Sequence, residues 1–273
     1  MVGIARACKL LGVSASGYYS WLRREARPGA VKECDLPKRI REIFVSSHGI
    51  YGSRRIQRVL VSQGTPITRR KVARMMRAQG LIAKAARGRG IRTTDSRHTL
   101  PVSPNLPQKD FRARAPNRVW VTDVTYIRTL EGWIYLAIVL DLYARRVVGW
   151  TLSEKNDRFL AMDAVRMALR RRKHRKGLIV HSDRGSPYCS FDFQELLRTH
   201  GILSGMSAKG DCYDNACAES FFHSLKVEWL DDAPLKSKHD TAGHVIQYVE
   251  LFYNRVRIHS SLDYLSPCDF ESA

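Results

Sequence analysis

The chain has 273 residues, 44% of them hydrophobic, which indicates a globular protein with one α/β core and a smaller domain. Its longest apolar run, residues 133–140, is far shorter than the roughly 20 residues of a transmembrane helix, and basic residues interrupt the apolar N-terminus. Neither a membrane span nor a signal peptide is therefore expected. The six cysteines lack C-x-x-C pairs and zinc-site spacing, which favours reduced thiols and a cytoplasmic location.

The formal net charge of +20 is unevenly distributed along the chain. Residues 1–118 hold 26 lysines and arginines against 6 acids, a net of +20, whereas residues 119–273 hold 20 of each, a net of zero. Positive charge spread evenly along the chain would say little about function. The concentration of the excess charge in residues 1–118 instead predicts that this region neutralises phosphates and that residues 119–273 have a different task. Nucleic acid is therefore the expected partner.

Two helical units are predicted in the basic region. Residues 1–30 form a helix-turn-helix-like segment, with a turn at Gly12 and a cap at Ser14 before the second helix. Residues 36–83 contain three further helices and are predicted to be a helical DNA-binding domain, the third helix being capped by Thr68. Residues 84–118, rich in prolines and basic residues, are predicted to be a basic linker.

The helices of residues 36–83 combine an apolar stripe with a basic face. In the middle helix Ile56, Val59 and Leu60 supply the stripe, and in the third helix Val72, Met75 and Met76 do so. The basic face could simply be solvated, but few acids neutralise it, which favours contact with DNA. The residues predicted to bind DNA here are Arg54, Arg55, Arg69, Arg70, Lys71 and Arg74.

The pattern changes at residue 119 from basic helices to β-rich runs. The runs RVWVTDVTYI, WIYLAIVLDL and RRVVGWTL, joined by tight turns at residues 131–132 and 143–144, predict an antiparallel meander. Alternating helices and strands then follow, with the strands LIVHS and 204–206 predicted parallel to the first. This order is that of the ribonuclease H-like fold, a mixed five-stranded sheet with helices, preceded here by small all-α units.

Three carboxylates are candidates for one site in this core. Asp123 interrupts an apolar face of the first strand, and Asp183 closes the fourth, so neighbouring parallel strands would bring them together. Glu219 lies on the polar side of a later helix, with Lys226 on the same face. Converging carboxylates repel one another unless a divalent cation binds, and oxygen-only ligands suit Mg²⁺ or Mn²⁺. Two such ions can promote phosphoryl transfer.

The blocks WVTDVTY, HSDRGSPY and KGDCYDNACAESFFHSLK resemble the catalytic blocks of integrase-core (DDE) transposases, relatives of retroviral integrases, with 35 residues between Asp183 and Glu219. Together with LGVSASGYYSW and YNRVRIHSSLDYLSP, they most resemble the second-frame protein of the bacterial insertion-sequence-three family. The resemblance implies that residues 119–273 are an integrase catalytic core with a C-terminal helical tail. It also implies that Asp123, Asp183 and Glu219 bind two Mg²⁺ or Mn²⁺ ions for catalysis, and that Lys226 contacts the terminal DNA.

The implied function is that of an insertion-sequence transposase, which binds double-stranded element ends and catalyses metal-dependent strand cleavage and strand transfer. The implied partners are element and target DNA, further copies of the chain, and an upstream-frame protein with a helix-turn-helix and a coiled coil. Two alternatives are an inactive DNA-binding regulator and a tyrosine recombinase using Arg257, His259 and Tyr264.

Two other acids in the core are predicted to have structural roles. Asp141, at the end of the second strand, is expected to pair with Arg145 or Arg146. Asp214, just before the helix of Glu219, is expected to cap that helix.

Overall fold

The chain forms two compact units, Met1–Lys84 and Ala85–Ala273. The structure is a computed structural model and describes residues 4–25, 35–84, 113–174, 176–207, 216–233 and 235–273. Most of the predicted basic linker, residues 85–112, and the predicted cap Asp214 lie outside the described residues. Within the described ranges, no helix has both the length and the apolar character needed to cross a membrane. The predicted boundaries of 1–30, 36–83, 84–118 and 119–273 stay predictions.

The first unit begins with a short helical hairpin. Helix α1 (Ile4–Leu10) and helix α2 (Ala15–Glu25) are joined by a turn in which Gly12 has a φ of +66°. Glycine adopts this left-handed conformation without the steric strain that a side chain would introduce. The Ser14 hydroxyl accepts a hydrogen bond from the Gly17 N–H at 3.0 Å, so the turn and the cap both lie where the sequence predicts them.

Three further helices build a small apolar core in the first unit. They are α3 (Leu36–Ser46), α4 (Ser53–Ser62) and α5 (Arg69–Ala78). The core residues Ile40, Ile56, Leu60 and Val72 have no exposed surface. Thr68 caps α5 as predicted, accepting a hydrogen bond from the Lys71 N–H. Val59 and Met75, predicted to face inward, are only half-buried at the margin of this core.

The second unit is organised around a five-stranded mixed sheet. The strands are β1 (Val119–Thr129), β2 (Gly132–Asp141), β3 (Arg146–Ser153), β4 (Ile179–Ser182) and β5 (Leu203–Met206). Their spatial order is β3-β2-β1-β4-β5. The first three pair in an antiparallel meander, and β4 and β5 run parallel to β1, as predicted. The first turn occupies residues 130–131, one residue earlier than predicted.

Helices cover both faces of this sheet. They are α6 (Arg158–Arg171), α7 (Ser186–Cys189), α8 (Phe191–Thr199), α9 (Ala216–Leu225), α10 (Lys238–Ile246) and α11 (Pro267–Ser272). One core cluster joins α6, α7 and α8 to Trp120, Val139, Val148 and Val180 of four strands. Helix α9 contacts β1 with buried residues that do not belong to that cluster. Because side chains alternate along a strand, Asp123 lies on the face of β1 opposite to Trp120.

Helix α9 does not continue as a regular α-helix. It passes into a π-helical turn, Lys226–Leu230, and α10 likewise passes into a second π-helical turn, Gln247–Tyr253. The two segments meet through aromatic side chains, including Phe221 and Tyr253, whose ring centroids lie 4.7 Å apart. Such π-helical turns are rare and are frequent at functional sites. The predicted single helix over residues 215–230 is therefore an α-helix followed by a π-helical turn.

The C-terminal tail is tied to the sheet by ion pairs. Asp141 has no exposed surface, and its partner is Arg172 at 3.6 Å, so the predicted pairing with Arg145 or Arg146 is wrong. Arg146 instead binds Glu271 of α11 at 2.6 Å, and Arg172 also contacts Glu271. The tail supplies the carboxylate that binds Arg146, a long-range contact that spacing along β2 and β3 does not reveal.

The approach of α6 to β3 requires a glycine at position 149. A Cβ atom added to Gly149 would lie 2.2 Å from the Ala164 carbonyl oxygen and 2.8 Å from the Ala168 nitrogen. Both neighbours are backbone atoms of α6, so the helix would have to move. We expect Gly149→Ala to lower the free energy of unfolding by about 3 kcal/mol, measured by urea denaturation.

The matched control for this substitution is Gly243→Ala, in helix α10. An added Cβ at Gly243 meets no atom within 4 Å. Because alanine favours a helix over glycine, this variant is expected to be as stable as the parent or more stable. Equal unfolding midpoints for the two variants would contradict the tight contact between α6 and β3.

Candidate active site

The register of β1 against β4 relates the two candidate aspartates. Val119 pairs with Ile179 and Val121 with His181, a constant offset of 60 residues. The same register continued by two residues sets Asp123 beside Asp183. Strand β4 ends one residue before Asp183, so this carboxylate stands at the carboxyl end of the strand, next to the middle of β1. The sheet thus brings the two acids together at its centre, as the sequence predicts.

Both carboxylates are oriented by backbone N–H groups close to them in the chain. Asp123 Oδ1 accepts a hydrogen bond from the Val124 N–H at 2.8 Å, and Asp183 Oδ1 accepts one from the Gly185 N–H, also at 2.8 Å. A Cβ on Gly185 would lie 2.9 Å from Asp183 Oδ1, so glycine leaves room for this arrangement. Arg184 Nε donates to the Ser207 carbonyl at 2.7 Å and fixes the same loop to the end of β5.

The buried Tyr188 lies within electrostatic reach of both aspartates. This tyrosine of α7 is fully buried, and its hydroxyl lies 3.3 Å from Thr122 Oγ1. Burial raises the pKa of Tyr188 well above its usual value, and the negative charges of Asp123 and Asp183 raise it further. Both carboxylates therefore act on the same phenol, which stays neutral at physiological pH. Sequence reasoning missed Tyr188, although the block HSDRGSPY ends with it.

Glu219 and Lys226 are carried by the helix that contacts β1. Glu219 is exposed in the first turn of α9, and Lys226 begins the π-helical turn that follows. The Lys226 ammonium lies 5.0 Å from the centroid of the Tyr126 ring on β1. Burial lowers the pKa of Lys226, and the charges of Asp231 and Asp123 oppose that shift. Lys226 therefore lies beside Tyr126 on β1, within electrostatic reach of Asp123.

The three carboxylates do not form a closed metal cage in this conformation. Asp123, Asp183 and Glu219 are all described, and among the described residues no three His, Cys, Asp or Glu side chains are grouped so as to hold a metal ion. The aspartate pair fits a divalent cation because its donors are oxygens only. Glu219 does not complete that group here. The segment just before α9, residues 208–215, lies outside the described part of the chain.

The basic residues of the first unit occupy the face of α5 opposite its core. Val72 and Met76 are buried, whereas Arg69, Arg70 and Arg74 are exposed. Lys71 is half-buried beside the Thr68 cap. In α4, Arg54 is exposed, and the half-buried Arg55 places its guanidinium 5.6 Å from the Tyr51 ring centroid. Arg77 is exposed on the same side of α5 and belongs to this basic face.

The residues proposed for a tyrosine recombinase do not form an accessible site. Arg257 is only 5% exposed and is bound to Glu228 through two hydrogen bonds of 2.6 Å. Its guanidinium also lies 3.2 Å from a ring nitrogen of His259. An arginine committed to a buried carboxylate in this way does not activate a DNA phosphate, which argues against that alternative.

Comparison with known protein families finds a match in each unit. The integrase core domain matches residues 113–212, a second integrase core model matches residues 200–267, and an HTH-like domain matches residues 32–89. The HTH-like match covers helices α3, α4 and α5 of the first unit. The helix-turn-helix-like character of residues 1–30 therefore stays a prediction. The ribonuclease H-like sheet and these matches define the class of the protein as an integrase-core enzyme.

Individual relatives show which family of integrase-core enzymes the chain belongs to. Transposase InsF for insertion sequence IS3A of Escherichia coli K12 is 45% identical over 273 residues, covering 98% of this chain and 94% of the relative. A 31 kDa protein of insertion element IS600 from Shigella sonnei is 40% identical over 265 residues, covering 96% of each chain. A similar solved structure is the HTLV-2 integrase catalytic core in complex with magnesium, with 17% identity, a TM-score of 0.46, and coverage of 59% of this chain and 99% of that one. The chain belongs to the integrase-core (DDE) transposases of the insertion sequence IS3 family.

Proposed function

We propose that Asp123, Asp183 and Glu219 are the catalytic and metal-binding residues of this transposase. The observation that carries the proposal is the β1–β4 register, which, continued by two residues, sets Asp123 beside Asp183, and α9 also contacts β1. When bound, one or two Mg²⁺ or Mn²⁺ ions supply activation of a water or a 3′-hydroxyl and stabilisation of the leaving oxygen. The reaction is cleavage at an element end followed by joining of the freed 3′-hydroxyl to target DNA.

The chain's own residues orient and surround the reacting groups. The backbone N–H groups of Val124 and Gly185 each hold one carboxylate oxygen, which fixes the direction of the other. The neutral Tyr188 beneath the pair offers no competing charge. Lys226, close to Asp123, is suited to bind a terminal phosphate of the DNA. In this proposal Glu219, on the helix that contacts β1, would approach the aspartates to complete the metal site.

The proposed partners follow from the two units. The basic face of α4 and α5, which includes Arg54, Arg55, Arg69, Arg70, Lys71 and Arg74, would bind double-stranded element ends through phosphate contacts. A transposase must hold two ends together, so we propose that the chain acts as a homo-oligomer. An upstream-frame protein with a helix-turn-helix and a coiled coil is a further proposed partner.

The test of this function is a cleavage assay with the purified full chain. Duplexes carrying the ends of the element are incubated with Mg²⁺, with Mn²⁺ or with EDTA, and the cut strands are mapped. We expect cleavage at the element terminus with either metal and none with EDTA. Metal-independent cleavage, or no cleavage of end DNA with either ion, would refute the proposed role of the carboxylates.

A further inference from the structure

A buried arginine in the C-terminal tail binds the back of the helix that carries Lys226. The Arg257 guanidinium donates from Nε and Nη2 to the two carboxylate oxygens of Glu228, each at 2.6 Å. Nη2 also donates to Ser224 Oγ at 3.1 Å. Glu228 is 3% exposed and accepts a further hydrogen bond from the Tyr248 hydroxyl at 3.2 Å. Arg257 therefore connects the tail to two positions of one helical segment.

The energetics of this pair argue against stability as its main role. Removing two charges from water carries a large desolvation cost, and apolar residues of similar volume often give equal or greater stability. A bidentate arginine–carboxylate pair, however, fixes the relative direction of its two partners because both groups are planar. A pair with these properties is suited to setting the orientation of a helix.

The positions of the two residues that Arg257 contacts indicate which side chain of the helix is oriented. Ser224 and Glu228 are four residues apart and lie on one side of the helical segment, and Lys226 lies midway between them in sequence. A residue two positions from each points to roughly the opposite side, and the Lys226 ammonium is indeed directed to the Tyr126 ring on β1. The π-helical turn begins at Lys226, within the span that Arg257 holds. The tail thus contacts the side of the segment opposite to Lys226.

We propose that Arg257 and Glu228 are positioning residues, which direct Lys226 from the far side of its helix onto β1, where the Tyr126 ring receives the ammonium three residues from Asp123. The inference rests on the proposed function, in which Lys226 binds terminal DNA. Neither Arg257 nor Glu228 touches substrate in this scheme. Their effect on the reaction passes through Lys226.

The decisive experiment removes the pair without leaving a buried charge. The double variant Arg257→Met/Glu228→Leu is prepared in the full chain, in the parent background and in a Lys226→Ala background. In the parent background we expect kcat/KM for end-DNA cleavage to fall by about tenfold or more, since residues coupled through contacts show energies of this order. In the Lys226→Ala background the same double change should have little further effect. An equal loss in both backgrounds would overturn the proposal.

A control variant and a second measurement separate this inference from the proposed function. Glu271→Gln, in the ion pairs of α11, should have the same effect in both backgrounds, because that carboxylate binds Arg146 and Arg172 instead. Acetylation of lysines in the absence of DNA and metal, followed by mass spectrometry, reports the position of Lys226 without any activity. We expect Lys226 to be acetylated several-fold faster in the double variant, with the exposed Lys155 unchanged.

The acetylation result decides the inference even if the cleavage assay fails. An unchanged acetylation rate of Lys226 would show that the pair does not position it. If the parent protein cuts no end DNA, the proposed function fails, but a faster rate in the double variant still supports the positioning role. Thermal unfolding of each variant excludes a loss of folding as the cause.

Discussion

The Asp183→Asn variant is expected to lose strand cleavage and strand transfer by at least about a thousandfold while keeping its affinity for element-end DNA. Asparagine has nearly the shape of aspartate but carries no charge, so it removes an ionised oxygen ligand from the site. Losses of this size are typical when one member of a set of cooperating catalytic groups is removed. The measurement is single-turnover cleavage of a labelled end duplex with Mg²⁺, alongside a binding titration.

Glu219→Gln is the sharper companion to this test. Glu219 does not form a three-carboxylate group with the aspartates among the described residues, so a comparable loss would show that its carboxylate is nevertheless needed for the reaction. Asp163→Asn is the matched control, because Asp163 is an exposed acid of α6 whose partner is Arg166. Cleavage by Glu219→Gln within tenfold of the parent rate would mean that another group completes the site.

Neutralising the basic face of α5 is expected to weaken DNA binding and to flatten its dependence on salt. Each phosphate contact contributes about 0.9 to the slope of log K against log salt, so four lost contacts would reduce that slope by about 3.6. Affinity at low salt should fall by at least about tenfold for any duplex sequence. The variant replaces four residues by glutamine: Arg69, Arg70, Lys71 and Arg74.

The control for this experiment removes the same number of positive charges from the surface of the second unit. Arg166 and Arg198 already pair with acids of their own helices, so their loss removes charge without removing a proposed phosphate contact. The control variant replaces by glutamine Lys155, Arg166, Lys176 and Arg198. A change of slope equal to that of the α5 variant would show that net charge, and not the α5 face, governs binding.

The local features of the aspartate site could be read from the sequence. Alternation along RVWVTDVTYI places Asp123 on one face of a strand, and the apolar run LIVHS places Asp183 at a strand end. The short turns of the meander and the order of helices and strands then make the two strands neighbours. Each of these inferences uses residues close in the chain, where periodicity carries the information.

The contacts that depend on distant segments could not be read in this way. Arg257 and Glu228 are 29 residues apart, and their pairing depends on how two helical segments with π-helical turns lie against each other. The predicted partner of Asp141 was wrong for the same reason, because the actual partner, Arg172, comes from the end of α6. Regular helical spacing also does not reveal a π-helical turn, which changes the direction of every later side chain.

The amide of Asn254 has a consequence for how copies of the chain can join. Strand β3 is at one border of the sheet, and there the Val147 N–H donates to Asn254 Oδ1 at 3.0 Å while Asn254 Nδ2 donates to the Val147 carbonyl at 2.9 Å. One side chain therefore satisfies the peptide groups that an incoming strand would use. A second copy cannot lengthen the sheet past Val147 without displacing Asn254, so a dimer joined through a continuous ten-stranded sheet across β3 is disfavoured.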